Sequence, residues 1–169
     1  MLSSFPELNV RTYVQRDGKP GVWFFSLDAG NFAAVEIARR WFHLPYFRAR
    51  MGAQIRDGWI HYESQRTDRG GSPAVLRARY RPVGELQSAA PGTLEYFLTE
   101  RYCLYAAHPQ GWLIRGEIHH EPWPLQSAEG EFAENIMTQA AGIVLPSSGS
   151  LLHFAKRQDV VVWPPQRIT

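Results

Sequence analysis

The sequence is poor in lysine, almost free of cysteine and without any long apolar run, and each shortage closes off a class of function. Sixteen arginines stand against two lysines, Lys19 and Lys156, so covalent amine chemistry has at most two side chains to work with. The one cysteine, Cys103, cannot form an intramolecular disulfide and excludes an all-thiolate metal site. Its surroundings, Arg101-Tyr102-Cys103-Leu104-Tyr105, read as a strand carrying a buried structural thiol rather than a nucleophile. No window approaches the roughly 18 apolar residues of a membrane span. Met1-Leu2-Ser3-Ser4-Phe5-Pro6-Glu7 has neither the basic nor the apolar region of an export signal, so a cytoplasmic protein without membrane insertion is expected. A net charge of +2, with dispersed basic residues, gives no nucleic-acid patch. Asp68-Arg69-Gly70-Gly71-Ser72 lacks the lysine and the following helix of a phosphate loop.

What remains is the composition of a globular protein, 44% apolar and 13% aromatic over 169 residues, which suits one domain spanning 1–169. Leu8 to Gln15 alternates in polarity, and Asp17-Gly18-Lys19-Pro20-Gly21 turns it into Val22 to Leu27, a hairpin. Asn31 caps a segment in which Phe32, Val35, Ala38, Trp41 and Phe42 recur at helical spacing up to Pro45, predicting one main helix over about 31–43. Strands are expected at Tyr46 to Arg56 and Trp59 to Thr67 around Asp57-Gly58, and at Ala74 to Arg81. A helical turn at Thr93 to Leu98 precedes paired strands at Arg101 to Ala107 and Trp112 to Glu121. Glu131 to Ala141 reads as a helix ended by Gly142, followed by short strands at Leu151 to Lys156 and Asp159 to Trp163. The fold class is mostly β (α+β), and the many antiparallel hairpins favour a closed or half-closed barrel with a ligand cavity inside.

Strand parity then selects the polar residues. Tyr62, Ser64 and Arg66 share one face, as do Arg77, Arg79 and Arg81 on the next strand. The arginine row reads most simply as solvated, with an anion site as the alternative. Arg115, Glu117, His119 and Glu121 also share a face, with His120 opposite. A metal would need a further ligand that the sequence does not identify, so neither metal nor cofactor is expected. Glu100-Arg101 sets a carboxylate beside a guanidinium. Ser64 has no Gly-x-Ser-x-Gly elbow and is not read as a nucleophile.

Phe5-Pro6-Glu7-Leu8-Asn9-Val10-Arg11-Thr12-Tyr13, Gly21-Val22-Trp23-Phe24-Phe25-Ser26-Leu27-Asp28 and Ala38-Arg39-Arg40 resemble the YqjF-like family of uncharacterised bacterial proteins. So do Thr99-Glu100-Arg101-Tyr102, His119-His120-Glu121-Pro122-Trp123 and the closing His153-Phe154, Asp159-Val160 and Trp163-Pro164. That family is remotely similar to acetoacetate decarboxylase, and the resemblance implies an antiparallel β-barrel around an internal cavity. In the decarboxylase an arginine-containing helix runs into Pro-Lys-Lys, where the lysine after proline forms the Schiff base and its neighbour lowers its pKa, an enzyme that serves as a standard example of that effect. Here the similar stretch is Arg39-Arg40-Trp41-Phe42-His43-Leu44-Pro45-Tyr46-Phe47, and Tyr46 and Phe47 replace both lysines.

Three functions follow. The first is a barrel that binds a small anionic or carbonyl metabolite without a Schiff base, lined by Tyr46, Tyr62, Ser64, Arg66, Arg79, Glu100, Arg101, Arg115 and His119. The second is a lyase or hydrolase with Glu100 as general acid or base and Tyr46 as proton donor. The third is a non-catalytic scaffold or interaction protein. Relatives carry further β-structure before the Phe5-Pro6-Glu7 segment, so the barrel is expected to be incomplete at the N-terminus. An open edge there predicts a homo-oligomer or poor solubility.

Overall fold

The computed structural model describes residues 4–146 and 149–168. Its two tightest hairpins follow directly from sequence. β1 (Glu7–Arg16) turns into β2 (Lys19–Ala29) through Asp17 and Gly18. β3 (Tyr46–Arg56) turns into β4 (Trp59–Arg66) through Asp57 and Gly58. In both turns the Asp has φ 50 and the Gly φ 77, the left-handed pair that a two-residue turn between twisted strands requires.

Between β2 and β3 runs α1 (Phe32–Phe42). The Asn31 side chain accepts the Ala34 N–H at 3.0 Å, a cap that contributes about 1 kcal/mol. His43, at φ 51, sends its N–H back to the Ala38 carbonyl, and Pro45 follows. Arg39 and Arg40 occupy the last turn, where cations favour the negative end of the helix dipole. This helix has a topological consequence. A strand–helix–strand crossover lays β3 parallel to β2, with Leu27 opposite Tyr46 and Asp28 opposite Phe47. β6 (Cys103–Ala107) is also parallel to β2, through Val22 and Trp23. The all-antiparallel expectation is therefore corrected at two ladders.

The remaining strands are β5 (Val75–Gln87), β7 (Leu113–His120), β8 (Leu125–Asn135), β9 (His153–Phe154), β10 (Val160–Val162) and β11 (Gln166–Ile168). α2 (Leu94–Thr99) and α3 (Met137–Ala140) are short. The strands form one sheet in the order β10-β7-β6-β2-β3-β4-β5-β8-β9, with β1 added to β2 and β11 to β7. Among the described residues the two ends of that path do not pair, so the sheet is mostly β but not a closed barrel.

Glu131 to Asn135 is strand, against the helix expected at Glu131 to Ala141. Pairing with β5 overrides helix propensity there, with Arg79 opposite Glu131 and Arg77 opposite Glu134. Only Met137–Ala140 remains helical. β5 also extends past Pro82 and the positive-φ Gly84 by way of a register shift between Val83 and Gln87. One core cluster gathers Leu27, Leu44, Ala106 and Ile114, and a second gathers Ala74, Leu76 and Met137 against Leu8, Val10 and Tyr62 of β1 and β4. No helix among the described residues is long and apolar enough to cross a membrane.

Candidate functional site

The helix that makes β3 parallel also fixes where β3 begins. Arg39 Nε donates to the Tyr46 carbonyl at 2.7 Å, and the same guanidinium pairs with Asp68. That bond holds the Asp68 carboxyl below its ordinary range. Tyr46 thus leaves Pro45 in a fixed direction. Its ring packs on the Leu27 and Leu44 cluster, and its hydroxyl donates to Glu7 Oε2 at 2.7 Å.

Glu7 arrives there because β1 is antiparallel to β2: it sits opposite Ala29, near the level of β2 where β3 starts. Its backbone carbonyl accepts from the Tyr62 hydroxyl at 2.8 Å, so Glu7 joins two tyrosines that lie on different strands. Glu7 is exposed as a residue, yet its carboxyl has lost enough surrounding water for its pKa to rise, an effect that the Tyr46 and Asn9 hydrogen bonds only partly oppose. Burial and the nearby carboxylate push the Tyr46 hydroxyl far up, and burial foremost pushes Tyr62 up to about 12. Both tyrosine hydroxyls stay protonated and donate, Tyr46 to the Glu7 carboxyl and Tyr62 to the Glu7 carbonyl. Tyr62 also packs against the cluster of Ala74, Leu76 and Met137, as do Leu8 and Val10. Leu8, Val10 and Leu76 meet a groove of about 520 Å³ between β1 and the end of β8, which Phe132, Asn135 and Met137 help line.

Of the other sequence candidates, Arg66 is fully engaged. Its Nε and Nη2 each lie 2.7 Å from an oxygen of Asp28, Nη1 donates to the Ser72 carbonyl at 3.1 Å, and the guanidinium lies 3.8 Å from the Phe47 ring centroid. Ser64, on the same strand face, is buried with no hydrogen-bond partner for its hydroxyl. Arg79 stands on the exposed face in a two-bond pair with Glu131, flanked by Arg77 with Glu134 and Arg81 with Glu129. Arg79 and Arg81 also each lie over the Trp59 ring, 4.7 Å from its centroid. The arginine row is an exposed zipper, and Arg77 and Arg79 line an open surface groove of about 360 Å³ with His61, Glu63 and Glu131, apart from the Glu7 constellation.

Glu100 is buried and accepts the Tyr102 hydroxyl, which raises the Tyr102 pKa to about 12. Tyr46 and Glu100, the donor and acid that sequence reasoning assigned to one site, bond to different partners, Glu7 and Tyr102. Arg115 Nε lies 2.7 Å from Glu117 Oε1 without hydrogen-bond geometry, and Lys19 Nζ donates to Glu117 Oε2 at 2.5 Å. His119 is exposed beside Tyr102, whereas His120 is buried. Arg101 is buried apart from the Glu7 constellation. Among the described residues no three His, Cys, Asp or Glu side chains group as a metal site would require.

Glu7 was missed by sequence reasoning, although it stands in the Phe5-Pro6-Glu7 motif. The parallel β2–β3 ladder is what brings it to Tyr46, and a helix bounded by strands was its only trace in sequence.

Three likenesses place these features. An acetoacetate decarboxylase of known structure from Legionella pneumophila is 13% identical and superposes with a TM-score of 0.62, over 98% of this chain and 67% of the decarboxylase. At that identity the likeness shows the fold. An uncharacterized protein YqjF of Bacillus subtilis (strain 168) is 49% identical over 161 residues, which is 95% of this chain. The chain spans 65% of that relative's length. The family model DUF2071, described as an uncharacterized conserved protein, matches residues 1–159, and the chain belongs to that family.

Proposed function

We propose that the chain binds a small carbonyl-bearing or carboxylic-acid metabolite without covalent capture, at Glu7, Tyr46 and Tyr62 and along the adjoining groove. The observation that carries this reading is the 2.7 Å hydrogen bond from Tyr46 to Glu7, at the position directly after Pro45. In a decarboxylase-like scaffold a lysine there would attack a ketone carbon. A tyrosine whose hydroxyl is held protonated does not attack a carbonyl carbon; it donates a hydrogen bond to Glu7 and keeps lone pairs that can accept. Glu7, with its raised pKa, keeps a proton at a pH where an ordinary carboxyl has lost it. One oxygen accepts from Tyr46, and the other can then present O–H to a ligand oxygen. The two lysines offer no substitute amine at this place: Lys19 is paired with Glu117, and Lys156 lies on the surface beyond β9. The groove falls in the size range of small-molecule sites, and its walls mix apolar side chains with the polar Asn9, Arg11, Asn135 and Thr138 in about equal share.

The reading is tested by following amide resonances of the protein while pyruvate, acetoacetate and acetone are added, for the wild type, Tyr46→Phe and Glu7→Gln. Saturable shifts at β1 and the start of β3 that weaken in both variants are expected. Shifts equal in all three proteins, or none, reject it. Borohydride added with acetoacetate is expected to leave the mass of the protein unchanged, and a reduced adduct on either lysine would reject the non-covalent part.

A further inference from the structure

A second, more enclosed cavity of about 90 Å³ lies between β2, β6 and β7, away from Glu7. It far exceeds the roughly 10–15 Å³ that one water needs, yet it is too small for a nucleotide or a flavin. Its charged and polar lining is Arg11, Thr99, Arg101, His120 and Trp123, and among the described residues no aspartate or glutamate lines it. Val22, Leu104 and Ile118 contribute apolar wall.

Arg101 is the unusual member. It is only 7% exposed, and among the described residues no carboxylate pairs with it. Its hydrogen bonding consists of Nη1 to the Glu100 carbonyl at 2.8 Å. The nearest acid in sequence, Glu100, already accepts the Tyr102 hydroxyl. Phe97 and Tyr13 stack near the guanidinium, at 4.2 and 5.5 Å from their ring centroids. Such rings attract the face of the cation and leave its in-plane N–H groups unfilled. Arg101 Nε is buried without an acceptor, and so is the indole Nε1 of Trp123. His120 cannot supply one. Its Nδ1 faces the Glu121 carbonyl at 2.8 Å and its Nε2 faces the Arg101 carbonyl at 3.3 Å, so both nitrogens are directed at acceptors. The cavity therefore combines surplus positive charge, unfilled donors and apolar walls in a small volume. Buried cations without a paired anion are rare because desolvation penalises them.

We propose that this cavity binds a short-chain monocarboxylate. Its carboxylate lies on Arg101 and the Trp123 indole N–H, Arg11 adds long-range attraction, and the hydrocarbon tail lies on Val22, Leu104 and Ile118. A divalent oxyanion such as phosphate would place its second charge against those apolar walls, which favours the monoanion.

The test follows the indole N–H resonance of Trp123, assigned by its loss in Trp123→Phe, as sodium butyrate is added to the full chain. Sodium chloride of equal ionic strength and butan-1-ol serve as controls. A saturable shift with butyrate is expected, with butanol and chloride giving none. By backbone resonances near Cys103, Trp123→Phe should bind butyrate roughly tenfold more weakly, the effect of removing one hydrogen bond to a charged group. Glu7→Gln changes no residue of this cavity, so its Trp123 indole resonance should titrate with butyrate as in the wild type whatever happens to the shifts at β1 and β3, and this proposal and the reading of Glu7 and Tyr46 can fail separately. No saturable shift through tens of millimolar butyrate, or an equal shift with butanol, overturns the proposal. So does a Trp123→Phe protein that is folded by circular dichroism and binds butyrate unchanged.

Discussion

Glu7 and Tyr46 lie 39 positions apart in sequence and share one hydrogen bond across Ala29, whose side chain is almost fully buried between them. The bond ties the free edge of the β1–β2 hairpin to the first residue of β3. Burial outweighs that bond in raising the Glu7 pKa, and the sign of its pH dependence follows. A carboxyl whose folded pKa exceeds its unfolded value binds its proton more tightly in the native state, so its contribution is most favourable at low pH and is lost as pH rises through the folded pKa. Glu7→Gln cannot titrate and retains an acceptor for Tyr46. Urea denaturation at a series of pH values should show wild-type stability falling, relative to Glu7→Gln, across the interval just above the ordinary glutamate range. Parallel curves for the two proteins would assign that dependence elsewhere.

Among the described residues Asp28 and Arg66 form the most buried ion pair, with both side chains at 3% exposure or less, and Phe47 covers the guanidinium. Removing one partner leaves the other charge stranded, so Asp28→Asn is expected to destabilise by about 3–5 kcal/mol. Arg79→Gln on the exposed face, which breaks a pair of similar geometry, is expected to cost no more than about 1 kcal/mol because water and salt screen it. Chemical denaturation of both variants compares them directly. Equal losses would show that burial is not what separates the two pairs.

The contrast between these pairs shows which parts of the structure were readable. Local chemistry was: the two Asp-Gly turns, the Asn31 cap, the stop at Pro45 and the strand parity of Tyr62, Ser64 and Arg66 all depend on neighbours in sequence. Whatever depended on strand order was not. Sequence parity placed Arg79 and Arg66 alike on polar faces, but the partner of one is an exposed glutamate on β8 and that of the other is an aspartate on β2. The helix expected at Glu131 failed for the same reason, since its glutamates oppose arginines on β5 and cross-strand pairing outweighed their helix propensity. Tyr46 was singled out from its place directly after Pro45, while its partner Glu7 required the parallel ladder.

β1 hydrogen-bonds along β2 over its whole length, and among the described residues its other edge carries no ladder. A ten-residue strand with an open edge and no proline is a template for another chain. Self-association is expected, and static light scattering across a concentration series should show a molar mass rising above 19.3 kDa. A monodisperse monomer at the highest concentration reached would count against an accessible edge. Replacing Tyr13 or Val14 by proline, which interrupts pairing at an edge, should lower the association if β1 mediates it.

Gly21 lies at the parallel junction of β2 and β6, inside a strand where sequence placed it in a turn. A Cβ there would lie 2.7 Å from Cys103 Sγ, 2.7 Å from the Tyr105 ring and 2.8 Å from the Cys103 carbonyl oxygen. Its φ is not in the left-handed region, so close approach rather than backbone conformation demands glycine. Both neighbours are fixed: Cys103 is fully buried, and the Tyr105 hydroxyl donates to the Lys19 carbonyl at 3.0 Å. Gly21→Ala is therefore expected to destabilise by about 1–3 kcal/mol, through forced separation of β2 from β6. The same separation has a chemical readout at Cys103, whose thiol pKa burial raises in the native protein. Native wild-type protein should react with a disulfide reagent only as fast as it unfolds, and Gly21→Ala should react measurably faster at equal pH. Fast labelling of the wild type would mean that β2 and β6 part more readily than their packing implies, and an unchanged rate in the variant would mean that the added methyl is absorbed without opening the junction.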